Sequence, residues 1–150
     1  MMDPKLKAFL DLIGWSEGAD YNTIVTGING PSTFTDFSDH PFANGGHVQW
    51  RLDPPAFSTA AGKYQILARL WNVYKGQLNL RDFSPASQDA IALQLMKERG
   101  AIGMVTAGHI EAAILACSSA WASFPGNNYG QGGKSMEGLL NQYQTLLAKG

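Results

Sequence analysis

The chain has 150 residues, which suffices for one domain with a substantial core, so we expect a single domain over residues 1–150. Eleven lysines and arginines stand against twelve aspartates and glutamates, and this balance lacks the basic field that drives binding to nucleic acid. The single cysteine, Cys117, excludes an intrachain disulfide, and no apolar stretch is long enough for stable membrane insertion.

The first predicted helix begins at Asp3, a favoured N-cap, followed by Pro4, and it ends before Gly18. Glu17 lies on the same face as Ile13, one turn earlier, so we expect its carboxyl group to face inward. The negative end of the helix and partial burial both disfavour a carboxylate there. The motif therefore predicts an acid that keeps its proton near neutral pH, as general-acid cleavage of an acetal requires. The alternative is a glutamate that points to solvent.

The helical period is absent from residues 20–52. Residues 23–26 and 32–37, on either side of an Asn-Gly-Pro turn, predict two short strands of a small antiparallel sheet. Residues 42–49 are rich in glycine and asparagine and predict a mobile loop.

Apolar residues at helical spacing return in the rest of the chain. They predict helices after residue 59, from 84 to 99, from 109 to 123 and from 135 onward, with a short helical turn at 101–105. Trp15, Trp71 and Trp121 are expected in the core, and Cys117 is expected to be a packed thiol. The predicted class is α+β, mainly helical, with the sheet in the N-terminal half.

The remaining polar residues exclude several chemistries. The three histidines match no serine-triad signature and no zinc-ligand spacing, and the glycine-rich segments lack the strand and helix that phosphate binding needs. We therefore expect no metal and no cofactor.

Aromatic and amide side chains favour a sugar-binding cleft, because rings stack on pyranoses and amides bond to hydroxyl and N-acetyl groups. The candidates are Tyr64, Gln65, Tyr129 and Gln131. The alternative for Tyr64 is an ordinary position in a helix core.

A glycosidase normally needs a second carboxylate, and Asp36 and Asp39 are the candidates. Asp39 precedes His40 and Pro41, and we favour a turn-capping role for it. No pattern in the sequence identifies a second catalytic acid.

Separated blocks of this chain, in the same order, resemble the lambda-type phage endolysins over nearly the full length. The blocks begin with Lys-Ala-Phe-Leu at 7–10 and Trp-Ser-Glu-Gly at 15–18, and they continue at residues 34–41, 58–65, 82–85, 97–100, 121–126 and 129–131. Phe37, Ala61 and Lys63 stand where we expect Tyr, Gly and Arg.

The resemblance implies a lysozyme-like α+β fold with a cleft between its β-containing and helical parts. It implies that Glu17 is the catalytic glutamate and that the glycan groove is bordered by Ser16, Tyr64, Gln65, Tyr129 and Gln131. The implied partner is the peptidoglycan glycan strand, bound by a monomer. The implied route is synthesis in the host cytoplasm and action in the periplasm after release by another factor.

The chemistry implied by the resemblance is lytic transglycosylation, which gives 1,6-anhydromuropeptides and needs only one carboxylate. Two alternatives stay open at this point. One is a hydrolytic lysozyme that uses Asp36 or Asp39, and the other is a non-catalytic peptidoglycan-binding module.

Overall fold

The computed structural model describes residues 2–126 and 133–150, and the chain divides into two compact units. Unit 1 comprises Met1–Gly18 and Ala92–Gly150, and unit 2 comprises Ala19–Ile91. The helices in chain order are α1 (Pro4–Glu17), α2 (Ala68–Gln77), α3 (Pro85–Glu98), α4 (Ala101–Thr106), α5 (Ile110–Cys117) and α6 (Met136–Lys149). The strands are β1 (Thr23–Gly27), β2 (Gly30–Thr33), β3 (Val48–Arg51) and β4 (Ala56–Ser58). The predicted α+β class is confirmed.

Unit 1 is a set of helices around an apolar core. Helix α1 packs against α4 and α6, and α5 packs against α4 and α6. The ring centroids of Phe9 and Phe124 lie 6.0 Å apart in an edge-on arrangement. Other buried core residues include Leu12, Ile13, Val105, Ile114 and Leu139. Cys117 is buried here as a free thiol, as predicted, and burial raises its pKa to about 12.

Unit 2 contains two antiparallel hairpins. Strand β1 pairs with β2 through Thr23↔Thr33, Ile24↔Ser32 and Gly27↔Gly30, with an irregularity between the last two pairs. Strand β3 pairs with β4 through Val48↔Ser58, Gln49↔Phe57 and Arg51↔Ala56. The backbone N–H of Ile28 donates to the Gln49 carbonyl at 2.9 Å, which joins the two hairpins.

The core of unit 2 lies between α2 and the loop before α3. The ring of Trp71 meets that of Phe83 at 5.1 Å, and both side chains are fully buried. Gln88 is also fully buried, but its amide is satisfied, because Nε2 donates to the Tyr21 and Phe83 carbonyls and Oε1 accepts from the Lys63 backbone N–H.

The structure corrects the predicted β region in two places. A second hairpin, β3 with β4, begins at Val48, so the loop predicted over residues 42–49 ends in regular structure. Its strands have only four and three residues, too short for the alternation by which strands are recognised. The second predicted strand ends at Thr33 rather than at residue 37.

Two predicted helix bounds are also wrong. Helix α2 begins at Ala68, not after residue 59, because residues 61–66 form isolated β-bridges and turns in which Gly62 and Gln65 have positive φ. Helix α5 ends at Cys117 rather than at residue 123. There the Ser118 hydroxyl donates to the Leu115 carbonyl at 2.8 Å and competes with the helical hydrogen bond.

One of the three tryptophans predicted for the core lies at the surface. Trp71 and Trp121 are buried as predicted, whereas Trp15 is 41% exposed. The Lys134 ammonium group lies 5.0 Å from the centroid of the Trp15 ring, a cation–π arrangement that is compatible with a solvent-exposed tryptophan.

Candidate active site

Glu17 is the last residue of α1, and the local sequence determines where that helix begins and ends. The Asp3 carboxylate accepts from the Lys5 backbone N–H at 2.7 Å, and Gly18 adopts the left-handed conformation at φ 65° and ψ 35°. Ile13, one turn before Glu17, is fully buried. Glu17 itself is partly buried, in agreement with the inward-facing position predicted for it.

Ser123 is the residue that holds the Glu17 carboxyl group. Its hydroxyl donates a short hydrogen bond to Glu17 Oε2, and its backbone N–H donates to the same carboxyl group. The Ser123 hydroxyl in turn accepts from the Ser16 hydroxyl at 2.7 Å. Ser16 is 6% exposed, and its hydroxyl is bonded inside the protein. The glycan contact predicted for Ser16 stays a prediction.

The environment of Glu17 suits a proton donor. Burial raises the pKa of Glu17 above the ordinary value of 4.5, whereas the two hydrogen bonds from Ser123 act in the opposite direction because they favour the ionised form. The net direction is upward, as the sequence predicted. A carboxylic acid in this position can hold a proton at a pH where an exposed glutamate has lost it.

Tyr64 and Gln65 lie in unit 2, in the turn structure that precedes α2. Tyr64 is 1% exposed, and its hydroxyl donates to Asp89 at 2.5 Å. The Tyr21 hydroxyl donates to the same Asp89 oxygen at 2.9 Å. Burial, followed by the bond to Asp89, raises the pKa of Tyr64 far above its ordinary value, so this phenol stays neutral. Tyr64 is thus a core residue, though outside any helix.

Gln65 is held by its own backbone neighbourhood. It has a positive φ of 50°, and its side-chain amide donates to the Gly62 carbonyl at 2.9 Å. The amide oxygen keeps its acceptor capacity for other groups. The two remaining predicted glycan-binding residues, Tyr129 and Gln131, lie outside the described residues.

Asp36 and Asp39 serve the local structure of unit 2. Exposed Asp36 accepts from the Ser38 backbone N–H at 2.9 Å, and its hydrogen bonds with Ser38 lower its pKa. Asp39 accepts from the indole N–H of Trp71 at 2.7 Å and from the His40 backbone N–H at 2.9 Å. The capping role favoured for Asp39 therefore agrees with its contacts.

Neither Ser123 nor Asp89 was identified from the sequence. Ser123 lies within the block at residues 121–126 that carries the resemblance, but it is 106 residues from Glu17 and no spacing rule connects the two. Asp89 lies on α3, 25 residues from Tyr64, and no spacing rule connects these two residues either. A family resemblance was the only available signal for Ser123, and it did not specify a contact.

Two absences within residues 2–126 and 133–150 bear on other functions. No group of three or more His, Cys, Asp or Glu side chains in these ranges could hold a metal ion. No helix there combines the length and apolar character needed to cross a membrane.

Comparison with known proteins agrees with the sequence resemblance. The model of the Endolysin family matches residues 7–149. The endolysin of Escherichia phage lambda is 46% identical over 148 residues, covering 92% of this chain and 88% of that protein. The endolysin of Escherichia phage P2 is also 46% identical, over 150 residues, covering 93% of this chain and 91% of that protein.

Solved structures agree with the fold. Bacteriophage lambda lysozyme complexed with a chitohexasaccharide superimposes with a TM-score of 0.88 at 44% identity, covering 97% of this chain and 96% of that chain. A second structure of lysozyme from bacteriophage lambda gives a TM-score of 0.77 at 42% identity, covering 99% of this chain and 93% of that one. The lysozyme-like fold predicted from the sequence is confirmed, and this chain belongs to the endolysin family of peptidoglycan-degrading enzymes.

Proposed function

We propose that the protein cleaves the β-1,4 bond between N-acetylmuramic acid and N-acetylglucosamine in peptidoglycan by lytic transglycosylation, with Glu17 as its catalytic acid and base. The observation that carries this proposal is the Glu17 carboxyl group, partly buried at the end of α1 with a raised pKa. A protonated carboxylic acid is the group that the first step of glycosidic cleavage needs.

The reaction uses Glu17 twice. Its proton passes to the glycosidic oxygen as the bond to the muramyl C1 breaks, and positive charge develops at C1. Glu17 is then a carboxylate and accepts the proton of the muramyl C6 hydroxyl while O6 bonds to C1. The products are a 1,6-anhydromuramyl end and a free N-acetylglucosamine hydroxyl, no water is consumed, and Glu17 regains its proton.

The contacts of Asp36 and Asp39 support this route over hydrolysis. Asp36 accepts from the Ser38 backbone N–H and Asp39 from that of His40, both within local turns, and Asp39 also accepts from the Trp71 indole N–H. An inverting or retaining hydrolase needs a second carboxylate free to activate water or to bond to C1. Hydrolysis with Asp36 or Asp39 is therefore the second candidate and the less favoured one. The family membership argues against a non-catalytic binding module.

A glycan ligand is also supported by similarity. The lambda lysozyme that matches this chain is complexed with a chitohexasaccharide, a β-1,4-linked amino-sugar chain. We infer that the present protein binds the same class of polymer. The predicted glycan-binding residues, Ser16, Tyr64, Gln65, Tyr129 and Gln131, stay a prediction. Its action on the cell wall follows from the family, while release from the cytoplasm by a separate factor and a monomeric state stay predictions.

Mass spectrometry of muropeptides from digested purified cell walls tests the mechanism. Transglycosylation gives anhydromuramyl ends, which are lighter than reducing ends by one water, and a digest with only reducing ends would establish hydrolysis instead. Glu17→Gln should abolish product formation, because the amide keeps the shape of the side chain but has no proton to transfer. Glu111→Gln, an exposed glutamate on α5, is the matched control and should keep activity. Wild-type activity in Glu17→Gln would exclude Glu17 as the acid.

A further inference from the structure

Three hydroxyl and carboxyl groups of unit 1 form a directed chain of hydrogen bonds. The Ser16 hydroxyl donates to the Ser123 hydroxyl, which donates to Glu17 Oε2. A serine hydroxyl has one proton to donate. If Ser123 donates it to Glu17, any other hydroxyl bonded to the Ser123 oxygen must act as the donor. Ser16 occupies that acceptor position and thereby directs the Ser123 proton toward the carboxyl group.

The backbone around Ser123 is held from two sides. Its carbonyl accepts from the Lys134 backbone N–H at 2.9 Å, and a Cβ added at Gly133 would lie 2.7 Å from the same carbonyl oxygen. The next residue, Phe124, is buried and packs edge-on against Phe9 of α1, the helix that carries Glu17. The position of the Ser123 donors relative to Glu17 is therefore set by packing and not by a free side chain.

We propose that Ser123, oriented by Ser16, is a positioning residue that fixes the Glu17 carboxyl group for both proton transfers. This inference rests on the proposed function of Glu17. Because Oε2 accepts from Ser123, Oε1 is the oxygen that carries the transferable proton and later accepts the proton from the C6 hydroxyl. The Ser123 hydroxyl and N–H keep their bonds to the carboxylate between the two transfers and stabilise its charge.

The pKa of Glu17 provides a measure of the role of Ser123. Burial and the two Ser123 hydrogen bonds are the influences on the pKa of Glu17 among the described residues, and no charged side chain contributes. Lys134, whose backbone N–H bonds to the Ser123 carbonyl, has its ammonium group 5.0 Å from the centroid of the Trp15 ring. Removing the Ser123 hydroxyl should therefore raise the pKa of Glu17 further, since burial remains and one opposing bond is lost.

Steady-state kinetics of Ser123→Ala on solubilised glycan strands, with anhydromuropeptides as the product measured, tests this role. We expect kcat to fall about 10- to 100-fold, the loss typical of one hydrogen bond to a charged group, with little change in KM. We also expect the alkaline limb of the kcat profile, where Glu17 loses its proton, to move to higher pH. Ser123→Thr keeps the hydroxyl donor and should restore most of kcat and the wild-type limb.

Two further variants make the test specific. Ser16→Ala leaves Ser123 in place but removes the group that orients it, so we expect a smaller loss of kcat in the same direction. Ser87→Ala removes a buried hydroxyl of unit 2 that bonds to Asp82, and it should change neither kcat nor the pH limb. If Ser123→Ala does not fold, Ser123→Thr and Ser16→Ala carry the test.

Wild-type kcat and pH limb in folded Ser123→Ala, or in folded Ser16→Ala when the former cannot be made, would overturn the proposal. The proposal would also be overturned if Ser123→Ala lost only as much kcat as Ser87→Ala and the alkaline limb of its kcat profile did not move. That result would show a general loss of stability. These outcomes differ from failure of the proposed function, which would appear as wild-type activity in Glu17→Gln or as reducing-end products from the wild type.

Discussion

At the scale of single residues, the Glu17 carboxyl group is subject to two opposed influences. Burial makes the charged form unfavourable, and Ser123 makes it less so. The group thus holds its proton to a higher pH than an exposed glutamate does, while the bonds from Ser123 keep it acidic enough to give that proton up. An exposed glutamate at the same helix end would lack the effect of burial. A fully buried glutamate without Ser123 would lack the stabilisation of its charged form.

The same raised pKa makes Glu17 unfavourable for stability at neutral pH. Because the folded-state pKa lies above the ordinary value of 4.5, the protonated form stabilises the fold below that pH, and this contribution is lost as pH rises through the folded-state pKa. We expect Glu17→Gln to have a larger free energy of unfolding than the wild type at neutral pH and an equal one well below pH 4.5. Urea denaturation at both pH values measures it, with Glu111→Gln as the control. Parallel pH profiles for all three proteins would contradict the prediction.

The two aspartates near the first hairpin give the opposite expectation, a cost in stability with little cost in chemistry. Asp39→Ala leaves the buried indole N–H of Trp71 without its acceptor, which should lower the free energy of unfolding by about 1–3 kcal/mol. Asp39→Asn keeps an acceptor oxygen and should lose less. Asp39→Ala, Asp39→Asn and Asp36→Asn should all retain most of the rate at which each folded molecule releases anhydromuropeptides. A loss equal to that of Glu17→Gln in a folded Asp variant would favour hydrolysis.

At the scale of elements, the helices with capping signals were predicted best. Asp3 caps α1 and Ser135 caps α6 by accepting from Gly138, and both helices begin where the sequence indicated. The start of α2 was wrong. Tyr64, Leu67 and Trp71 have helical spacing, but the backbone at Gly62 and Gln65 cannot be helical because φ is positive at both.

Gly62 tests why that segment is not helical. Its φ is +83°, and an added Cβ would lie 2.3 Å from the side-chain oxygen of Gln88. The Gln88 side-chain amide is held in place by three hydrogen bonds, one to its oxygen and two from its nitrogen. We expect Gly62→Ala to cost roughly 2–4 kcal/mol, the sum of backbone strain and overpacking. Gly108→Ala is the control, since its φ of +85° is similar and no atom lies within 4 Å of the added Cβ. Thermal unfolding that gave equal losses for the two variants would show that φ alone matters.

At the scale of the whole molecule, the chain has two compact units, and α3 has residues in both. The candidate acid and its positioning serines belong to unit 1, whereas Tyr64, Gln65 and the two aspartates belong to unit 2. A single catalytic domain over residues 1–150 stays a prediction.

Chelation tests the reaction of the molecule as a whole. The proposed mechanism transfers protons between Glu17 and the substrate and assigns no step to a metal ion. We therefore expect that excess EDTA leaves the initial rate of anhydromuropeptide release from purified cell walls unchanged. If EDTA lowered the rate and an added divalent cation restored it, this expectation would be contradicted.

The sequence by itself determined the mainly helical class, the ends of α1 and the inward position of Glu17, because capping residues and helical periodicity act within a few neighbouring residues. The endolysin family followed from separated motifs. The tertiary structure alone decided the Ser16–Ser123–Glu17 chain, the buried Tyr64–Asp89 pair and the second hairpin. The Ser16–Ser123 and Tyr64–Asp89 contacts join residues 107 and 25 positions apart, and such pairs are selected by packing and by the need to satisfy buried polar groups, which no local pattern encodes. The strands of the second hairpin are too short to show an alternating pattern.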